Sequence, residues 1–347
     1  MKYKQMGSTG LFVSEICLGA MTFGGDPDTQ AFRGMGYMTQ DQVDAVVARA
    51  LGAGVNFIDT ADTYFQGQSE RMVGQALRNL GRSRKDVVIS TKTSGIVGHG
   101  PNDRGASRGH IMDAVKLSLE RLQTDYIDLY QIHQTDSVTP LDETLRALDD
   151  LRAQGLIRYF GASNWHAWRI AMALGTSEAK NYGRLETIQA YYSIAGRDIE
   201  REIVPLLEAQ KLGLLVWSPL AGGLLSGKFG PGTQTPEDSR RASFDFPPVN
   251  TDRAWPIVAA MREIGDARGV SVARVALAWV LAKRYVMSVI IGAKNTDQLN
   301  DNLAAVDLAL LPEETQRLDK VSAPELEYPG WMLAFLGDSR VPMPFEP

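Results

Sequence analysis

The spacing of short apolar runs constrains what this chain can fold into more than any other feature of it. Eight β-branched or apolar segments recur at residues 16–19, 55–58, 87–90, 126–130, 157–160, 187–189, 213–216 and 288–291. Each is strand-sized and bounded by polar or glycine-containing sequence. Amphipathic stretches fall between or after them, at 41–53, 69–79, 107–122, 141–154, 167–174, 199–211, 271–283 and 296–306. Ser271 and Thr296 are expected N-caps, and Gly81, Gly155 and Gly213 stand where helix C-termini need a positive φ. Such an alternation suits a closed parallel barrel or a doubly wound open sheet. An open dinucleotide-binding sheet would carry Gly-x-Gly-x-x-Gly after its first strand. Here that strand leads into Gly19-Ala20-Met21-Thr22-Phe23-Gly24-Gly25, which lacks the spacing. In a barrel, chemistry gathers at the carboxyl ends of several strands, and polar residues do so here. The expected fold is therefore α/β: a (β/α)8 TIM barrel behind an N-terminal β-hairpin (residues 2–5 and 11–14, turning through 7–10) that plugs its bottom.

The chain is read as one domain, with the hairpin at 1–15, the barrel at 16–309 and a C-terminal helix and tail at 310–347. Its 347 residues exceed the roughly 250 typical of such a barrel. The surplus falls at 24–39, in a loop at 229–251, in an extra helix at 253–268 between strand seven and helix seven, and at 322–347. Loops this long at a barrel's carboxyl face are often lids or binding segments. Composition narrows the partners: 36 Lys plus Arg against 41 Asp plus Glu give a net charge of −5, which speaks against nucleic acid or anionic membranes. The single cysteine, Cys17, allows no internal disulfide, no apolar run reaches 18 residues, and the N-terminus lacks a secretory signal's apolar core, so a cytoplasmic protein is expected. The four histidines form no i, i+4 pair and have no cysteine partners, so metal-independent chemistry is expected.

Strand two ends in Asp59, followed by Thr60-Ala61-Asp62-Thr63-Tyr64; strand three ends in Lys92; strand four runs into His133. An acid, a phenol, an ammonium and an imidazole on one barrel face suggest proton transfer. A tyrosine near pKa 10 donates poorly at neutral pH, but a neighbouring lysine cation favours the phenolate. Lys92 would supply that charge, Asp59 would hold Lys92, and His133 would hydrogen-bond a substrate oxygen. Taken singly, each residue also suits a rim salt bridge or ordinary packing; the joint arrangement favours catalysis. A barrel glycosidase built on Asp59 and Asp62 would leave Lys92 without a purpose.

Gly54-Val55-Asn56-Phe57-Ile58-Asp59-Thr60-Ala61-Asp62-Thr63-Tyr64, continuing to Gly67-Gln68-Ser69-Glu70, closely resembles the first signature of the aldo-keto reductase superfamily. Thr91-Lys92-Thr93 and Leu129-Tyr130-Gln131-Ile132-His133 resemble its other catalytic segments. The resemblance implies that Asp59, Tyr64, Lys92 and His133 form the family's tetrad, with Tyr64 as general acid in carbonyl reduction and base in alcohol oxidation. It also implies a nicotinamide cofactor bound without a Rossmann domain. Gly19, Met21 and Asp59 would border that cofactor, Ser163, Asn164 and Gln189 would hold its carboxamide, and Trp217 would stack on its ring. Ser218, Leu220, Gly222 and Lys228 resemble the pyrophosphate segment, and Gly292, Lys294, Gln298, Asp301 and Asn302 the adenosine segment. Lys294 favours NADP(H) over NAD(H), although Ile291 and Gln298 depart from many relatives, which have proline and arginine there. Phe23, Phe65, Trp165, Trp331 and Phe335 are candidates for an apolar pocket taking a small-molecule carbonyl or alcohol. The loop at 229–251 would fold over the pyrophosphate, with Arg240 or Arg241 facing its charge. The alternative is a cofactor-sensing regulatory or scaffold subunit with weak or no turnover, as among the superfamily's potassium-channel β subunits.

Overall fold

The computed structural model describes residues 1–25, 37–232 and 240–337. A two-stranded antiparallel hairpin, β1 (Tyr3–Gln5) and β2 (Phe12–Ser14), precedes the barrel strands β3 (Ile16–Gly19), β4 (Phe57–Asp59), β5 (Val88–Thr93), β6 (Ile127–Ile132), β7 (Ile157–Ser163), β8 (Leu185–Tyr191), β9 (Gly213–Trp217) and β10 (Val286–Ile291). These eight close into a barrel in sequence order, all neighbours parallel, with β10 pairing β3. Every strand of the sequence reading is present. Several run further toward the carboxyl end than their apolar signal does. β5 continues through Thr91, Lys92 and Thr93, and β7 through Ser163, because these polar side chains are fully buried and break the apolar pattern without breaking the ladder.

The helices that cover the barrel are α1 (Gln40–Gly52), α2 (Gln68–Asn79), α3 (Arg108–Leu122), α4 (Leu141–Ala153), α5 (Ala167–Lys180), α6 (Ile203–Gln210), α7 (Arg240–Ser243), α8 (Thr251–Arg268), α9 (Val272–Leu281), α10 (Thr296–Leu303), α11 (Pro312–Val321) and α12 (Gly330–Leu336). Three local expectations are corrected. Asn295, not Thr296, caps α10, its side chain accepting from the Gln298 amide. α5 runs past Gly175 to Lys180 and ends where Asn181 takes the left-handed conformation. Gly213 does not have a positive φ; Lys211 provides that conformation after α6. Gly213 instead opens β9, where a Cβ would lie 2.5 Å from the Met287 sulfur.

Two apolar layers hold the fold. One lies between the strands and the helices; the other fills the barrel's lower interior with Met6, Val13, Cys17, Phe57, Val88, Leu129, Leu215, Met287 and Ile290. Met6 and Val13 come from the hairpin, which closes the bottom. Its turn presses on β8, where a Cβ on Gly7 would meet the Glu186 carbonyl oxygen at 2.3 Å, and Lys4 Nζ donates to the Val286 carbonyl at 2.8 Å. The extra helix between the seventh and eighth barrel strands is α8, capped by Asn250 and packed against α9 and α11. Parts of the long segments read from the sequence, 26–36, 233–239 and 338–347, lie outside the described residues.

Candidate active site

Parallel register places inward-facing polar residues of successive strands at one height. Asp59 pairs with Ser90, Lys92 with Gln131, and Ser163 with Gln189. Asp59 and Lys92, both buried, form an ion pair with Nζ 2.5 Å from Oδ2. Lys92 also donates to the Thr60 carbonyl at 2.8 Å and reaches the Tyr64 hydroxyl at 3.5 Å. The other carboxylate oxygen of Asp59 accepts from Ser90 Oγ at 2.9 Å, Gln189 Nε2 at 3.0 Å and Gln131 Nε2 at 3.5 Å. Three donors on one oxygen and the lysine on the other hold the Asp59 carboxylate in a fixed orientation. Burial opposes the Lys92 charge, but Asp59 and Tyr64 outweigh it and leave its pKa above the ordinary lysine value.

Tyr64 starts a short 3-10 turn over Tyr64–Gly67 in the loop that follows β4. Its ring meets His133 edge-on, with centroids 5.7 Å apart and planes at 80°. His133 follows β6, and its backbone N–H donates to the Thr93 carbonyl. Burial, then the Lys92 charge, push its imidazole down to about 3, so it is neutral at physiological pH. Asp59, Tyr64, Lys92 and His133 thus stand together at the barrel mouth.

The residues read as cofactor contacts form a rim around that mouth. Gly19 ends β3, where a Cβ would strike Ile290 at 2.7 Å, and Met21 follows it, partly exposed. Ser163 is buried and its hydroxyl has no partner, an arrangement that suits an incoming amide. Asn164 donates to the His133 carbonyl and accepts from the Trp217 indole at 3.0 Å, tying the His133 segment to the aromatic at the end of β9. Trp217 lies parallel to Phe246, at 7° with centroids 5.7 Å apart. Ser218 Oγ accepts from the Gly222 amide at 3.0 Å within a turn where Gly222 and Gly223 have φ of 65° and 97°. Leu220 opens that turn, and Lys228, past its end, is exposed. Gly223 and Gly292 have free space where a Cβ would stand, nothing approaching closer than 4.0 Å, so a ligand can come close to the backbone there, although the Gly223 amide itself donates to the Leu220 carbonyl at 2.9 Å. These features fit a dinucleotide.

At the adenosine segment, Gln298 accepts from the Lys294 backbone amide at 3.1 Å, and Asn302 donates weakly to the Gly292 carbonyl. Asp301 accepts from Ser271 and pairs with Arg274 at 2.7 Å, so its carboxylate is used within the protein. Arg241, half of the pair expected to face the pyrophosphate, instead donates to the Ala221 and Pro247 carbonyls and pairs with Asp245, clasping its loop onto the glycine turn. The Arg240 side chain lies outside the described ones. The substrate-pocket candidates scatter. Phe23 and Trp165 are buried in the core, Phe65 is partly exposed beside Tyr64, and Trp331 and Phe335 are exposed on α12. Ser90 and Gln131, which hold Asp59, and Phe246 against Trp217 escaped the sequence reading. The signal for Ser90 was its position two residues before Lys92, on the same face of β5.

The Aldo/keto reductase family profile matches residues 15–323, and the chain belongs to that family. It is 36% identical over 329 residues to a probable voltage-gated potassium channel subunit beta of Arabidopsis thaliana, covering 92% of this chain and 96% of that protein. It is 36% identical over 330 residues to an uncharacterized oxidoreductase of Bacillus subtilis, at the same coverage. It is 32% identical over 348 residues to versiconal hemiacetal acetate reductase of Aspergillus parasiticus, covering 95% and 99%. Family membership makes this an oxidoreductase of the kind that acts on small-molecule carbonyl compounds with a nicotinamide cofactor. No described helix is long and apolar enough to cross a membrane.

Proposed function

We propose that the protein is an NADPH-dependent carbonyl reductase, reversible toward alcohol oxidation, with Tyr64 as its general acid and base. The observation that carries this reading is the buried chain from Asp59 through Lys92 to the Tyr64 hydroxyl. When bound, the nicotinamide supplies the hydride. Tyr64 donates its phenolic proton to the carbonyl oxygen. The Lys92 ammonium stabilises the negative charge left on the phenol oxygen, and Asp59 keeps that ammonium fixed and charged. Neutral His133 offers a ring N–H to the same substrate oxygen without competing as an acid. Ser163, Asn164 and Gln189 would hold the carboxamide, Trp217 the ring face, and the 218–228 segment with Lys228 the pyrophosphate. Lys294, exposed at the start of α10, is the cation for a 2′-phosphate.

Tyr64→Phe tests the assignment. General acid catalysis contributes about 10² to 10⁴ in rate, so kcat for a reactive aldehyde should fall by that factor while NADPH still binds, read by fluorescence titration. Full turnover by the variant would refute it. A second reading, a regulatory subunit, draws support from the similarity to the channel-subunit relative; absence of steady-state NADPH consumption across a carbonyl panel, with NADPH binding intact, would favour it.

A further inference from the structure

Behind the catalytic turn lies a polar cluster that the proposed reaction does not use. Asp62, two residues before Tyr64, is only 1% exposed, and its carboxylate has the Thr93 hydroxyl and the Thr63 amide beside it but no well-formed hydrogen bond. Facing it are Thr93 from β5, Tyr130 from β6, Glu70 from α2 and Arg121 from α3. The hydroxyls of Thr93 and Tyr130, which lie beside each other, Ser118 Oγ beside Glu70, and Arg121 Nε are likewise buried without a well-formed hydrogen bond. Six of the fourteen such side-chain atoms found among the described residues belong to this one cluster.

The charges here do not balance. Two buried carboxylates, Asp62 and Glu70, face a single guanidinium. Glu70 accepts from the Thr91 hydroxyl at 2.6 Å and takes Arg121, at 3.1 Å, as its ion-pair partner. Asp62 is left with no cation of its own. A buried carboxylate without a partner takes up a proton rather than remain ionised.

The same cluster grips the turn that carries Tyr64 from both ends. Before it, the Asp62 amide donates to the Lys92 carbonyl at 3.1 Å. After it, the Arg121 guanidinium lies so close to Gly67 (φ 83°) that a Cβ there would sit 2.5 Å from Cζ. Between these anchors Phe65 and Gln66 adopt φ of 45° and 54°, a left-handed pair that side-chain-bearing residues keep only when their surroundings impose it. An ionised Asp62 would compete with Glu70 for Arg121 and draw water inward, loosening both anchors.

We propose that this cluster holds one proton on Asp62, and that protonated Asp62 is a positioning residue keeping the Tyr64 hydroxyl within reach of Lys92. Burial, reinforced by Glu70, pushes the Asp62 carboxyl up to about 7, and burial raises Glu70 as well. The remaining titratable neighbour, Tyr130, is pushed up by burial and is a neutral phenol in this range. Lys92 meets Asp62 through its backbone, its ammonium being bonded to Asp59 inside the barrel.

The test has one arm that needs no turnover, because the kinetic arm rests on the reductase reading. A carboxyl whose pKa is higher in the fold than in the unfolded chain contributes stability that is lost as pH rises between the two values. Asp62→Asn removes this loss, so its melting temperature should gain on wild type from about pH 4 to about pH 7 and level off above that. In the kinetic arm, wild-type kcat should fall above about pH 7, by up to roughly tenfold per unit, and the Asp62→Asn profile should lose that break. Should Asp62→Asn not fold, Glu70→Gln leaves Arg121 to Asp62 alone and should move the break to lower pH by about one unit or more. A melting-temperature difference independent of pH overturns the proton on Asp62, whether or not the protein reduces carbonyls. A break unmoved in both variants overturns the positioning role and assigns the ionisation to Tyr64.

Discussion

Replacing Lys92 by methionine is the sharpest test of how the site is held together. Methionine fills the volume of the lysine stem but removes an ammonium that is fully buried and donates to Asp59 Oδ2 at 2.5 Å and to the Thr60 carbonyl at 2.8 Å. Ser90, Gln189 and Gln131 still donate to the other Asp59 oxygen, so the carboxylate keeps half its support and loses its counter-charge. Breaking a buried pair from one side costs about 3–5 kcal/mol. Unfolding entropy of about 2.1 cal/mol/K per residue over 347 residues gives roughly 0.7 kcal/mol/K, so Lys92→Met should melt about 4–7 °C below wild type. Asp59→Leu in the same background removes the stranded charge, and a double-mutant cycle by denaturant titration should show coupling of at least about 2 kcal/mol. The Lys92 pKa lies above its unfolded value of 10.5. Its contribution is therefore complete below that value and lost only as pH rises through the folded pKa, so the gap should be constant from about pH 6 to about pH 9. Additive single losses, or a Lys92→Met protein as stable as wild type, would refute the reasoning.

Two further outcomes are expected. His133, held down to about 3 by burial and then by Lys92, binds fewer protons folded than unfolded up to its ordinary value near 6.5. Stability should therefore rise with pH across that window, and calorimetric scans of His133→Gln should show a shallower loss on acidification than wild type. Lys294→Ala should raise KM for NADPH by about tenfold, the worth of roughly 1.4 kcal/mol for one charge-assisted phosphate contact, and leave KM for NADH unchanged; equal shifts for both cofactors would remove Lys294 from the 2′-phosphate. His133 and Asp62 tilt the stability curve in opposite directions, so each is read from its variant's difference from wild type, not from the wild-type curve alone.

The barrel was legible because its eight apolar runs report burial on both faces, and the helices because their caps and periods are local. What the sequence hid was polar burial. Thr91, Lys92 and Thr93 are in β5 and fully buried, yet no apolar period marks them, and the apolar run ends at Ser90. Of the site, Asp59, Lys92 and His133 were legible because each falls at or just past a strand end, and Tyr64 because it follows Asp59 in the loop that leaves the same strand. Their supports were not, because Ser90, Gln131 and the cluster around Asp62 act across strands in a register that only closure of the barrel defines. Gly213 misled for a related reason: a glycine after a helix suggests a turn, whereas this one makes room for the Met287 sulfur. Arg241 was read as a ligand for phosphate because its position in a long loop is visible, while its contacts with Ala221, Pro247 and Asp245 are not.

The two halves of the barrel interior explain why the chemistry sits where it does. Below Asp59 the interior is sealed by Met6 and Val13 of the hairpin against Cys17, Phe57, Leu129, Leu215 and Met287. That plug is buried throughout, and Asp59 and Lys92 above it are buried too, so the polar groups near the pair act in a medium of low dielectric. Within such a medium an ammonium 3.5 Å from a phenol oxygen weighs far more on the phenol's charge than it would at a surface. The same condition applies on the outer side of the strands, where Asp62 and Glu70 are buried with one guanidinium between them. Tyr64 is thus reached from both directions, by a lysine inside the barrel that stabilises its charged form and by an acid outside the barrel that fixes its turn. Because the second of these is set by protonation, the geometry of the first depends on pH even though the Lys92 ammonium itself, raised above the ordinary lysine value, does not titrate in the working range.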